Sequence, residues 1–488
     1  MSYLLITTVL AVSAAQASSS ASDSQTLVGD ELAAPSRYFL IDLGITDAAP
    51  HRETTADSEA EAINDLGEVV GFVRHGAPGG AFIWRNGLME DLGTFDLDEA
   101  SAADINNQSQ IVGRIGNRAV RWESDQSITD IHSLIPPDCG GPSGMASTWA
   151  QGISSSGAVV GLGEIEGSGV WDGFHWDGVS QGFHQIGDTG SDHFFLRGVS
   201  DNGSYGAGNN TPIFDPGHGL LPSLPPPVAC SAPGPSCEGV VFYAVNDHGD
   251  GVGMAGQQAM AGCADLNVAS GSTAMAARGI NNAGWIVGGD YIRAFPEDDG
   301  DRAESATGGA YLWTPGEYGG WDAFQLDSLI VNGPDWSLGT ASGINEQGWI
   351  SGTGSDGHRE ISAFVLVPEE DIDDRLVLAG AGMGDFYHQN PHRAMISNAT
   401  PGDSVTVVYG YGPGETLLSR DGCQSLRIDI ENPVVRGGSE ADDMGVALFE
   451  TTVGRGVAGE TVWVQAVELS TCRVSNWVAI KFREIPAH

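Results

Sequence analysis

The chain has 488 residues, 41% of them hydrophobic and only 17% charged, with 70 glycines and a formal net charge of −43. That length leaves room for two or three domains, and so acidic a chain is repelled by nucleic acid and by anionic membrane surfaces. No segment carries the period of a long amphipathic helix, so the glycine-rich composition reads as a turn-rich all-β protein.

Residues 1–17 read as a secretory signal peptide. Leu4 to Val12 is an apolar run and Ala15-Gln16-Ala17 a small-x-small cleavage site, although no Lys or Arg precedes the run. The run is too short to span a bilayer, and no later stretch is long enough. The expectation is a secreted protein, extracellular or periplasmic, with no transmembrane segment. Residues 18–37 are rich in Ser and Ala and read as a disordered N-terminal segment.

Tyr38-Phe39-Leu40-Ile41-Asp42-Leu43-Gly44 reads as a strand. After it a nine-residue motif, clearest as Ile280-Asn281-Asn282-Ala283-Gly284-Trp285-Ile286-Val287-Gly288, recurs from Ile63, Ile105, Ile153, Val199, Val245, Ile280 and Ile344. Successive copies are 42, 48, 46, 46, 35 and 64 residues apart, close to the ~40–50 residues of one propeller blade. Each position has a mechanical reason. The β-branched residue ends a strand, and the Asn or Ser starts a turn by bonding its own backbone. The Gly four positions on supplies positive φ, and the last Gly permits close backbone approach. The second copy has Ser109 in the turn-Gly slot, and the fourth has Ala207 at the last Gly. Small residues precede most copies, as Ala60, Ala102, Ala150, Ala277 and Ala341.

An aromatic-bearing strand follows each of four copies: Ala81-Phe82-Ile83-Trp84, Ala119-Val120-Arg121-Trp122, Gly173-Phe174-His175-Trp176 and Ala310-Tyr311-Leu312-Trp313. A short turn and a strand such as Leu88-Met89-Glu90-Asp91-Leu92-Gly93 come next. On these motifs the chain resembles the bacterial extracellular HAF-repeat family, over roughly residues 38–368. The resemblance implies secretion rather than any particular activity. The repeats themselves predict a seven-bladed β-propeller over 38–368. The last repeat lacks a fourth strand, so residues 38–43 are expected to supply it and close the ring.

The longer connections should share one rim, which makes that rim the expected binding face. Trp171, Tyr291 and Trp336 lie in or near those connections and would suit sugar stacking. Trp84, Trp122, Trp176 and Trp313 sit on repeat strands and read as packing residues. The acidic loop with Asp298, Asp299, Asp301 and Glu304 offers hard oxygens to Ca²⁺, though it fits no EF-hand spacing and reads first as a solvated loop. No other cofactor is expected.

Residues 369–375 read as an acidic linker. From 376 to 488 the texture changes to strand-length runs such as Ser404-Val405-Thr406-Val407-Val408-Tyr409 and Thr461-Val462-Trp463-Val464-Gln465-Ala466-Val467. They predict a small β-sandwich, loosely similar to the immunoglobulin-like tail domains of bacterial exoproteins. Cys423 and Cys472 are the only cysteines there, so they should pair. Cys139, Cys230, Cys237 and Cys263 allow three connectivities, of which Cys230–Cys237 with Cys139–Cys263 is favoured.

Three apparent motifs fail on context. Gly178-Val179-Ser180-Gln181-Gly182 lies in a short turn with no α/β sheet to form a nucleophile elbow. His388 and His392 are separated by Pro391, which breaks the helix a zinc pair would need. Gly380-Ala381-Gly382-Met383-Gly384 has no amphipathic helix after it. The reading is therefore a monomeric, non-enzymatic binding or surface-associated protein for an extracellular glycan or protein. The alternative is an extracellular polysaccharide hydrolase or lyase, which would need two converging carboxylates.

Overall fold

The computed structural model describes residues 37–43, 57–74, 79–85, 88–93, 99–136, 145–167, 169–178, 183–186, 195–208, 240–256, 258–262, 264–266, 275–290, 309–316, 320–332, 336–355, 361–372, 376–379, 392–420, 423–443, 445–452, 457 and 460–481. The expected signal peptide and Cys139, Cys230, Cys237 and Cys263 lie outside these residues. So do residues 18–36 of the expected disordered segment, Ser180, Tyr291, Asp298, Asp299, Asp301, Glu304, His388 and the 380–384 glycine run.

The described residues form an all-β protein of many small antiparallel sheets. Helical structure among them is limited to 3-10 turns such as His132–Leu134, Leu326–Leu329 and Glu369–Ile372. No helix among them is long and apolar enough to cross a membrane.

Each repeated motif is a β-hairpin. The first strands end at Ile63, Ile105, Ile153, Val199, Val245, Ile280 and Ile344, the residues at which the motif begins. Asp57–Ile63, Val69–Arg74, Gly80–Arg85 and Leu88–Asp91 make a four-stranded meander. The repeats at Ile105, Ile153 and Val245 do the same, and the one at Val199 has two described strands. The last two repeats merge into one eight-stranded sheet through the pairing of Gly289 with Thr340. Tyr38–Asp42 is the outer strand of the last repeat: it pairs antiparallel with Ser362–Pro368, Tyr38 opposite Pro368 and Asp42 opposite Phe364.

The last glycine of the motif is a contact requirement. A Cβ at Gly71 would stand 1.9 Å from the Glu59 carbonyl oxygen, which no side chain tolerates. In the fourth repeat the equivalent is Gly208, 1.9 Å from the Phe195 carbonyl, and not Ala207. That hairpin carries one more residue in its turn, pairing Val199 with Gly206 and Leu196 with Gly208. The sequence alignment by ninth position therefore misassigned it by one.

Trp122, Trp176 and Trp313 are at most 2% exposed, and Trp84 is also buried, as packing residues should be. Each of the four packs in one core cluster with strands of a neighbouring repeat, so its burial holds adjacent sheets together.

Beyond residue 376 the three-stranded sheet of Val377–Ala379, His392–Ser397 and Ala447–Thr451 shares a core with a four-stranded one. The latter runs Val434–Glu440, Ser404–Gly410, Thr461–Glu468 and Arg473–Lys481. Leu378, Ile396, Val405, Val407, Val464 and Ala466 fill the space between them. Cys423 and Cys472 form a disulfide, with Cα atoms 5.4 Å apart. The segment expected as an acidic linker begins as the Glu369–Ile372 turn, and Asp371 accepts a 2.7 Å hydrogen bond from Trp349 Nε1.

Candidate functional site

The hairpin turns are tied to one another in series. Asn64 Oδ1 accepts from the N–H groups of Leu66 and Glu68, which builds its own turn. Its Nδ2 donates to the Asn106 carbonyl of the next repeat at 3.0 Å. Asn106 donates to the Ser154 carbonyl at 3.0 Å, and Ser155 N–H to the Asp201 carbonyl at 2.8 Å. Asn202 N–H donates to the Asp247 carboxylate at 2.8 Å. Asn246 donates to the Asn281 carbonyl, Asn281 to the Asn345 carbonyl, and Asn345 to the Asn64 carbonyl. The series returns to its first member.

The seven first strands line a cavity of about 700 Å³. Every one carries a β-bulge at the same place, two residues before the strand ends. A bulge re-aims the extra side chain. The bulged residues are Glu61, Ala103, Gln151, Arg197, Tyr243, Arg278 and Ser342, and all seven line the cavity and are half-buried. The repeat thus holds its apolar positions constant and varies one side chain per copy at one level of the cavity wall.

Two further levels flank this one. At the turn end stand Asp65, Asn107, Asp201, Asp247, Asn282 and Glu346, each one residue past the turn Asn or Ser. Five of them are hydrogen-bonded among themselves: Asn107 with Asp65, Asn282 with Asp247, the Asn282 N–H with Glu346, and the Glu346 N–H with Asp65. At the other end stand Glu99, Ser101, Arg114 and Trp149. The Arg114 guanidinium lies 5.4 Å from the centre of the Trp149 ring, a cation–π contact.

The carboxyls here titrate abnormally. Asp104 is enclosed by protein, and that desolvation pushes it up to about 7 against the pull of N–H donors from Ile153 and Ile105. Asp201 is pushed up to about 6, first by burial and then by the nearby Asp247 and Asp65 carboxylates. Glu346 is raised by burial and by the same acidic neighbours, against the Asn282 N–H. The acids are spread around the rim, and among the described residues no group of three or more His, Cys, Asp or Glu comes together as a metal site.

Of the aromatics expected to bind sugar, Trp171 packs 5.0 Å from the cavity-lining Trp149. Trp336 instead stands edge-on to buried Phe364, centroids 6.1 Å apart, against a core cluster. Sequence reasoning missed the polar wall residues. The small residues Ala60, Ala102, Ala150, Ala277 and Ala341 each precede the bulge by one position; Ala102 and Ala150 also border the cavity, but the next residue lines it in every repeat. A one-residue slip in a strand exchanges faces, and only the recurrence of variable polar residues at that one position could have revealed it.

No protein-family model matches the chain, and no curated protein matches it.

Proposed function

We propose that the chain is a secreted, non-enzymatic binding protein that holds an extracellular glycan in the cavity between its seven first strands. On this reading residues 38–368 are a seven-bladed β-propeller of HAF-like repeats, closed by the N-terminal strand, and residues 376–488 an immunoglobulin-like β-sandwich. The observation that carries the function is the bulge level: seven equivalent positions, occupied by Glu, Ala, Gln, Arg, Tyr, Arg and Ser, facing one cavity. Side-chain diversity at one level of an otherwise repeated frame is what a recognition surface needs and what a purely structural ring does not. Polar groups of both kinds around Tyr243 and Trp149 suit a hydroxyl-rich ligand that stacks on aromatics. The turn-to-turn hydrogen bonds returning to Asn64 support the closed ring. The Cys423–Cys472 disulfide supports export to an oxidising compartment.

The test is calorimetric titration of the full chain against a glycan panel. Binding should weaken on Tyr243→Ala and on Trp149→Ala, while Trp336→Phe leaves it unchanged. If no glycan binds, or if binding ignores both cavity variants, the reading fails.

A hydrolase on the same frame is favoured by one observation, the raised carboxyls of Asp104 and Asp201 in the cavity, because proton-donating acids are tuned upward in this way. Release of new reducing ends from any bound glycan, lost in Asp201→Asn, would establish it in place of simple binding.

A further inference from the structure

Resting on the glycan reading, we infer that the wall formed by Arg197, Tyr243 and Arg278 seats the carboxylate of an acidic sugar, so that the cavity selects uronate-containing glycans over neutral ones.

These three residues occupy the bulge positions of three successive repeats. They are therefore neighbours at one level of the cavity wall, and all three line it. The two guanidinium groups lie over the same ring, 5.3 Å and 5.7 Å from the centre of Tyr243. A cation over an aromatic face is held there electrostatically. Stacking engages the face of a guanidinium, whereas its N–H donors lie around the edge, in the fork that matches a carboxylate. The tyrosine thus holds two arginines beside each other on one wall of the cavity.

The composition makes the placement informative. The chain has 64 Asp and Glu residues against 21 Lys and Arg. Two arginines among three successive variable positions of one wall run against that balance.

The surroundings narrow the anion. Asp201 stands four residues after Arg197, and Asp247 four after Tyr243, so carboxylates border the same wall at the turn end. A polysulfate or polyphosphate would meet them with charge at every position and be repelled. A uronate sugar carries one carboxylate among hydroxyls: the carboxylate meets the arginines, and the hydroxyls donate to Asp201 and Asp247.

The experiment titrates the full chain with a panel of uronate-containing oligosaccharides, their matched neutral counterparts, and inorganic sulfate. Wild type should bind the best uronate about tenfold or more tighter than its neutral match, the scale of a charge-assisted hydrogen-bonded contact. Arg197→Gln and Arg278→Gln should each weaken uronate binding far more than neutral-sugar binding, so that the preference is lost. Arg278→Lys keeps the charge without the fork and should lose most of the preference. Circular dichroism and thermal melting report that the variants are folded. Equal binding of charged and neutral sugars, a preference that survives both Gln variants, or sulfate competing as well as the uronate would overturn the carboxylate seat while the glycan reading stands. If neither class of sugar binds, both are overturned together.

Discussion

Asn345 donates from its side-chain amide to the main-chain carbonyl of Asn64, 3.0 Å away in space and 281 residues away in sequence. The same side chain accepts from the N–H groups of Gln347 and Trp349 at 3.1 and 2.8 Å. One residue therefore builds its own turn and joins the last hairpin to the first.

Replacing it separates the two roles. Asn345→Ala leaves buried backbone groups without their partner, at about 1–3 kcal/mol for each group. Asn345→Ser keeps a turn acceptor, as Ser154 does for the Ala158 N–H at 3.1 Å, and loses mainly the tie to Asn64. Urea denaturation should rank wild type above Ser above Ala. If Ala is no worse than Ser, the turn role is refuted.

Gly348 stands at φ +80°, and a Cβ there would approach the Trp285 ring to 2.7 Å. Gly348→Ser should cost about 2 kcal/mol or more, from backbone strain plus crowding. The second repeat manages serine at the same slot because Ser109, at φ 56°, donates to the Glu68 carboxylate at 2.7 Å. Thermal melts of Gly348→Ser and Ser109→Ala distinguish the cases: the serine at 109 should be stabilising where the serine at 348 is not.

Stability should fall as pH rises through the weakly acidic range. Asp104 and Asp201 titrate at about 7 and about 6 in the folded chain, against about 4 when unfolded. Between those values the folded protein binds more protons than the unfolded one, so each unit of pH lowers the unfolding free energy until both states are ionised. The chain's net charge acts in the same direction, so the variants carry the test. Asp104→Asn and Asp201→Asn should each flatten the profile between about pH 4 and 7. Slopes identical to wild type in both would assign the dependence elsewhere.

The Cys423–Cys472 bond joins positions 49 residues apart. On the chain-entropy account, closing a loop of that length stabilises by about 4 kcal/mol. Reduction, or Cys472→Ser, should lower the denaturation midpoint of the region after residue 376, followed through Trp463 and Trp477. An unchanged midpoint under reductant would contradict this.

Glu468 has a fully buried side chain, and its carboxylate meets Arg473 at 2.6 Å and the Thr400 N–H at 2.7 Å. Burial alone would raise its pKa, but the hydrogen bonds from Thr471, Thr400 and Arg473 outweigh it and hold the carboxyl below its usual range. Arg473→Met strands that charge and should cost about 3–5 kcal/mol. The double variant Glu468→Gln/Arg473→Met should recover part of the loss, and failure to recover any would argue against charge burial as the cause.

Local structure can be read directly from the order of the residues. A β-branched residue, an Asn or Ser and a turn glycine within nine residues specify a hairpin through short-range sterics and hydrogen bonds. The seven strand ends from Ile63 to Ile344 were therefore legible residue by residue, as was the Cys423–Cys472 pair in a region with no other cysteine. The character of the cavity emerges only once the strands are packed. Glu61, Arg197, Tyr243 and Arg278 lie in strands whose alternation alone would not say which face they take. A bulge depends on pairing with the neighbouring strand, and it turns those side chains from the expected face toward residues of other repeats, tens to hundreds of positions away. Charges so distant in sequence acquire a shared site only when the strands that bear them are packed side by side.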